Sequence, residues 1–151
     1  MSTTPASGTA ADPFDLQRFV EAQAAQYADA LGELSAGRKQ SHWIWFIFPQ
    51  CEGLGRSPMA RRHAIRSMAE ARAYLQHPVL GARLLECTQV INRLAGCTAA
   101  GIFGELDALK FRSSMTLFER AAAPASDFTT ALDRYFDGER DPLTLECMAR
   151  W

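Results

Sequence analysis

At 151 residues, the chain is long enough to build one hydrophobic core and too short for two full domains. Its hydrophobic share of 48% and charged share of 22% are ordinary for a globular protein. A formal net charge of −1 argues against a general nucleic-acid footprint, which needs a basic surface.

The chain begins with an uncharged stretch rich in Ser, Thr and Ala, Met1 to Ala11. It has neither the basic start nor the apolar centre of a signal peptide, so residues 1–11 read as a flexible tail and residues 12–151 as the single domain. Asp12 can then cap a helix, and Pro13 suits its first turn. Leu16, Phe19, Val20, Tyr27, Ala30, Leu31 and Leu34 follow on one stripe at helical spacing, with Gly37 as the stop. Residues 42–48 are apolar on every face, which fits a buried strand or a buried helix. A lone strand would leave its backbone groups unpaired, so helix is the reading. The longest apolar run, Trp43 to Phe48, is far too short to span a bilayer.

Further helices are expected from Ser57-Pro58 through Ile65 and from Ser67 through Gln76, the second opened by a capping box with Glu70. Another should run from His77-Pro78 to Gly96, burying Val79, Leu80, Leu84, Cys87, Val90, Ile91 and Leu94. A short turn of helix over Thr98 to Phe103 precedes a long one capped by Asp107 and ending at Ala123. The last two run from Ser126 to Phe136 and from Asp141-Pro142 onward. The expectation is an all-α fold, a compact single-domain orthogonal bundle of about seven to nine helices. The four cysteines, Cys51, Cys87, Cys97 and Cys147, form no C-x-x-C pair, and the three histidines stand in no ligand spacing. No metal and no cofactor is implied. The thiols suit a reducing compartment, and the expected location is cytoplasmic, with no membrane partner.

Polar residues inside apolar stripes are the informative positions. Gln23 falls in the middle of the first stripe, and burying an unpaired amide costs roughly 1–3 kcal/mol. Its partner is either the backbone of a neighbouring helix or a ligand. Arg83 sits between Val79, Val90 and Leu94 on its wheel, either with its head in water or at the edge of a cavity where a forked donor suits phosphate or carboxylate. The stretch "LKFRSSMTLF" has two apolar sectors. Leu106, Leu109 and Leu117 form one, and Ala108, Phe111, Met115 and Phe118 form the other. Arg112 and Glu119 fill one gap as solvated surface. Lys110 and Ser114 fill the other, with Ser113 inside the leucine sector, and that gap faces solvent or a shared cavity.

His42 opens the aromatic run, either as a capping side chain or as a proton donor and acceptor near neutral pH. Trp43 and Trp45 are core rings or stacking surfaces. Gln50 follows the Pro49 break. The turn Gly53-Leu54-Gly55-Arg56-Ser57-Pro58 leads into a helix start, which is plain turn chemistry or an anion site.

The segments "DLQRFVEAQ", "GRKQSHWIWFIFPQ", "GLGRSPMARRHAI", "EARAYLQHPVLGARLLEC", "IFGELDALKFRSSMTLF" and "LDRYF" follow in order along the chain. Together they closely resemble the domain of unknown function 1810 family, small bacterial proteins, over about Asp12 to Leu145. The resemblance implies an all-α single domain and brings no established activity. Some members have carried the label calpastatin, but nothing in this sequence supports a protease-inhibitor role. His63 stands where the family pattern usually shows Tyr, so no family role is assigned to it.

The leading expectation is a small-molecule pocket for a nucleotide-like phosphorylated ligand. Trp43, Trp45 and Phe46 would form its floor, with His42 and Gln50 at the rim. Arg56, Arg83 and Lys110 would supply charge, and Gln23, Ser57, Ser113 and Ser114 neutral hydrogen bonds. If there is catalysis, His42 is the candidate acid or base. The alternative is a protein-interaction or scaffold module with no small-molecule ligand. A third reading, nucleic-acid binding, rests only on the cations of "ARRHAIR" and is disfavoured by the net charge. The sequence leaves the oligomeric state open.

Overall fold

Short-range capping sets half of the helix starts in the computed structural model, which describes residues 12–151. The expected tail, residues 1–11, lies outside the described residues. Among the described residues ten helices follow one another: α1 (Gln17–Ala24), α2 (Tyr27–Ser35), α3 (Ile44–Ile47), α4 (Pro58–Arg62), α5 (Met68–Gln76), α6 (Leu80–Arg93), α7 (Ala99–Phe103), α8 (Glu105–Ala121), α9 (Asp127–Phe136) and α10 (Pro142–Ala149). Ser57, Ser67, Thr98, Ser126 and Asp141 each accept a hydrogen bond from the backbone N–H three residues on, the N-cap arrangement. The fold is all-α. Its one sheet-like feature among the described residues is an isolated parallel bridge, Cys51 to Ile65.

The helix count exceeds the expected seven to nine because the first stripe does not form one rod. Asp15 takes a left-handed φ of 52°, and the Asp12 carboxylate then accepts the N–H groups of Leu16 and Gln17 at 2.7 and 3.0 Å. A second break at Ala25-Gln26 separates α1 from α2. The two halves pack on different neighbours, α1 on α3 and α2 on α6. The helix expected to run through Ile65 ends at Arg62, because Ile65 is drawn into the bridge with Cys51. Asp107 lies in the first turn of α8 rather than at its cap. The cap position belongs to Gly104, at a φ of 81° that an L side chain resists.

α8 is the hub: α3, α5, α7, α9 and α10 all pack on it. Its Phe111 ring meets Phe48 edge-on at 4.9 Å and stacks on Phe103 at 4.6 Å. Phe118 contacts Tyr74 at 5.2 Å and Phe128 at 6.0 Å, and Tyr74 extends the chain of rings to Phe19 at 5.0 Å. Each such ring, fully buried, contributes roughly 1.5–3 kcal/mol. The leucine sector is only partly covered. Leu117 is buried, but Leu106 is 76% and Leu109 57% exposed. Arg112 and Glu119 are not idle surface either. Arg112 donates to the carbonyls of Glu139 and Arg140, while Glu119 holds Arg140 and the Thr129 hydroxyl.

Two buried polar side chains tie α1 to the segment around α4. Arg18 uses every N–H it has. Nε donates to Arg62 O at 2.7 Å, Nη1 to Phe14 O and Asp15 O at 2.7 and 2.8 Å, and Nη2 to Ala64 O at 2.8 Å and the Glu70 carboxylate at 2.7 Å. Glu70 also accepts the backbone N–H of Arg66 at 3.0 Å. His63 lies between Phe19 and Phe46, at ring separations of 5.6 and 5.5 Å. Its Nδ1 is 2.9 Å from Met59 O, which places the neutral imidazole's proton there, and its buried Nε2 has no partner among the described residues. Burial, with the Arg62 and Arg18 charges, holds the imidazole below its ordinary pKa against the bond to Met59, which favours protonation.

Glu70→Gln keeps the shape but leaves Arg18 an uncompensated buried cation. Urea denaturation should show a loss of about 3 kcal/mol; an unmoved midpoint would contradict the anchoring role. For His63 the folded pKa is the lower one. The unfolded chain therefore takes up the proton first as pH falls below about 6.5, and stability present above that pH is lost on the acid side. His63→Phe should flatten that part of the acid limb of stability between about pH 7 and about pH 5, and an unchanged limb would count against it.

Candidate functional site

The Cys51–Ile65 bridge brings two separate stretches side by side. Glu52 N–H donates to Ile65 O and Ile65 N–H to Gln50 O, both at 2.9 Å. The Gly53-Gly55 turn is thereby folded back against α4. A Cβ on Gly55 would lie 2.5 Å from the Cβ of Ala60, so the turn's close approach requires glycine there. Gly53, at a φ of 96°, makes the reversal. From behind, the Cys147 thiol of α10 donates to Glu52 O at 3.4 Å.

This packing gathers three arginines from different segments. Arg56 comes from the turn, Arg61 from α4 and Arg66 from beyond the bridge, and with Glu52, Gly53 and Gly55 they line a depression of about 570 Å³. Arg66 Nε pairs with Glu52 at 3.0 Å. Arg56 and Arg61 have no ion pair among the described residues. Arg18 and Glu70 hold the backbone beneath, through Arg62 O, Ala64 O and Arg66 N. The basin thus offers exposed guanidinium forks on a braced backbone, an arrangement suited to phosphate or carboxylate oxygens.

The other residues singled out in the sequence are distributed elsewhere. Ser57 borders the turn, where its hydroxyl caps α4 through Ala60 N at 3.1 Å. Gln50 is half-buried, and its carbonyl is committed to the bridge. Gln23 and Arg83 meet in a polar cluster between α1 and α6. The Gln23 amide donates to Phe46 O at 2.6 Å and to the Tyr74 hydroxyl at 3.2 Å, and it accepts from Arg83 Nη1 at 3.3 Å. Arg83 lies over the Tyr27 ring at 4.7 Å. Tyr27 donates to Glu86, and the neighbouring Cys87 thiol is pushed up to about 12, chiefly by burial.

Trp43 is fully buried with its indole N–H on Glu33 at 2.9 Å, so neither of its faces is open. Trp45 is half-buried under Lys110, whose Nζ is 5.8 Å from the ring centroid. Lys110 shares Asp107 with Lys39, at 3.0 and 2.8 Å. His42 is exposed. On another face of α8, the Ser113 hydroxyl lies within bonding reach of Leu109 O at 3.1 Å and Asp141 at 2.8 Å. Ser114 is fully buried, and its hydroxyl has no partner among the described residues. Among the described residues, these side chains fall into separate groups with different partners rather than around one hollow beside the tryptophans.

Several governing residues gave no signal as site candidates. Arg61 and Arg66 stand out in the sequence only as a basic run, because the bridge that turns them toward Arg56 is non-local. Arg18 reads as an ordinary polar position on a helix. Glu33 looks like helix surface, yet it accepts the backbone N–H groups of Gln40 and Ser41, the Ser41 hydroxyl and the Trp43 indole. Burial alone would raise its pKa, but these donors outweigh burial and lower it to about 2.

Among the described residues, no three His, Cys, Asp or Glu side chains are grouped to hold a metal, and no helix is long and apolar enough to cross a membrane. No curated protein matches the chain. The crystal structure of the conserved hypothetical protein Rv1873 from Mycobacterium tuberculosis is similar, with a TM-score of 0.90 and 52% identity over 91% of this chain and 99% of that one. Residues 13–148 match the family described as "Protein of unknown function (DUF1810)", and the chain belongs to that family.

Proposed function

We propose that the protein binds a small phosphate-bearing ligand, nucleotide-like in class, in the arginine basin between the Gly53-Gly55 turn and α4. The observation that supports this is the convergence of Arg56, Arg61 and Arg66 over a glycine turn, with two of the three unpaired among the described residues. Three guanidiniums against the single Glu52 carboxylate leave the basin cationic in a chain whose net charge is −1. Charge-assisted bonds of this kind contribute about 1.5–3 kcal/mol each. Recognition falls on the phosphate. Trp43 is closed off in the core, and Trp45 lies under Lys110, so the aromatic run serves packing first. His42 does not line the basin, and the reading is of binding rather than catalysis.

The scaffold reading keeps one observation of its own, the adjacent exposed Leu106 and Leu109 on α8. The two readings separate in one titration series. Calorimetry with nucleotides, sugar phosphates and inorganic phosphate should detect binding to the wild type that weakens with salt. Arg56→Ala/Arg61→Ala should reduce affinity by more than about tenfold without lowering thermal stability. Glu52→Gln, which releases Arg66, should tighten binding. Heatless titrations across the whole panel, or affinity indifferent to the double variant, would refute the proposal and leave the interaction module.

A further inference from the structure

A second depression, of about 660 Å³, lies between α5, α6 and the turn that joins α8 to α9. Its volume falls within the range of about 300–1,000 Å³ that small-ligand pockets occupy. Its chemistry is unlike that of the arginine basin. Leu75, Leu85 and Pro124 supply apolar wall, with the buried Phe128 beneath it, and Leu85 is 38% exposed although it is a large hydrophobic side chain. Charge enters at two points only, Arg72 on α5 and Asp127 at the start of α9. Asp127 is already occupied. Its carboxylate accepts the Gln89 amide at 3.0 Å and its carbonyl accepts the Asn92 amide at 3.0 Å. Arg72 is exposed and makes no ion pair among the described residues.

The rim is also held in a costly conformation. Ala125 lies on it with a φ of 60°. The other non-glycine residues with positive φ among the described residues are Asp15 and Asp137, and Asp tolerates that region better than Ala does. Backbone held in such a state is characteristic of positions whose shape is put to use.

We propose that this depression binds an apolar monocarboxylate, with its hydrocarbon part on Leu75, Leu85 and Pro124 and its carboxylate in the fork of Arg72. A single guanidinium matches one carboxylate in bidentate geometry. The Asp127 charge on the same lining repels a polyanion more than a monoanion, which separates this site from one for phosphates. The proposal does not depend on the arginine basin.

The full chain, labelled with nitrogen-15, can be titrated by NMR with octanoate, with its neutral amide octanamide, and with the dianion suberate. Octanoate should shift the amides of Arg72, Leu75, Leu85, Ala125 and Phe128 and leave those of Arg56 and Arg61 in place. Octanamide and suberate should each bind at least about tenfold more weakly. Arg72→Gln should bring octanoate down to the level of octanamide without changing octanamide itself. Leu85→Trp, at an exposed position, should block all three. The proposal is overturned if millimolar octanoate leaves these amides unmoved, if octanamide binds as tightly as octanoate, if Arg72→Gln keeps full affinity, or if the shifts centre on the arginine basin. Should Leu85→Trp not fold, the Arg72→Gln comparison decides alone.

Discussion

The buried Arg18–Glu70 pair is the interaction on which the rest of the architecture depends. A guanidinium removed from water is tolerated only when its charge and all its donors are met. Here they are met by five acceptors contributed from both sides, by Phe14 and Asp15 before α1 and by Arg62, Ala64 and Glu70 around α4 and α5. The arrangement does more than balance a charge. It takes up the carbonyls of Arg62, at the end of α4, and of Ala64 beyond it, and so fixes the path from α4 to α5 where no regular ladder could. The Cys51–Ile65 bridge and the arginine basin both stand on that path.

What the sequence made legible was whatever is decided within one turn of chain. Ser57, Ser67, Thr98, Ser126 and Asp141 announce their helices because a cap and its N–H partner are three residues apart. The buried face of α8 through Phe111, Met115 and Phe118 is equally local, since periodicity alone defines it. Non-local matters were out of reach. A helical wheel shows that Leu106, Leu109 and Leu117 share a sector, but it does not show that a neighbour covers only Leu117. It places Arg18 on a helix without naming acceptors as far off as Glu70. The break at Ala25-Gln26 is invisible for the same reason, as it serves the different partners of α1 and α2. Of the suggested site, the Arg56 turn was readable as cation plus glycine, whereas its union with Arg61 and Arg66 required the bridge.

The most conspicuous segment of the sequence turns out to explain stability more than chemistry. Residues 43–48 form a single helical turn pressed into the core, held by the Glu33 carboxylate on one side and by the Gln23 amide on the Phe46 carbonyl on the other. Gln23, which looked like a ligand-binding group, therefore has a prior task, which is to satisfy a carbonyl of a short helix too small to satisfy itself. Two of the openings among the described residues lie away from it, one lined by guanidiniums over glycine and the other by apolar wall with Arg72 beside it. Their chemistries differ enough that a ligand suited to one is poorly suited to the other.

The three tryptophans stand at graded depths: Trp43 is wholly enclosed, Trp45 is half-covered at the edge of α8, and Trp151 at the chain's end is 38% exposed. Indole emission responds to local polarity, so the molecule carries three native fluorophores with distinct spectra and distinct access to a dissolved quencher. Loss of the blue component tracks opening of the interior around Trp43, while the red component reports on the surroundings of Trp151. Local and global opening can then be followed separately without attaching a dye.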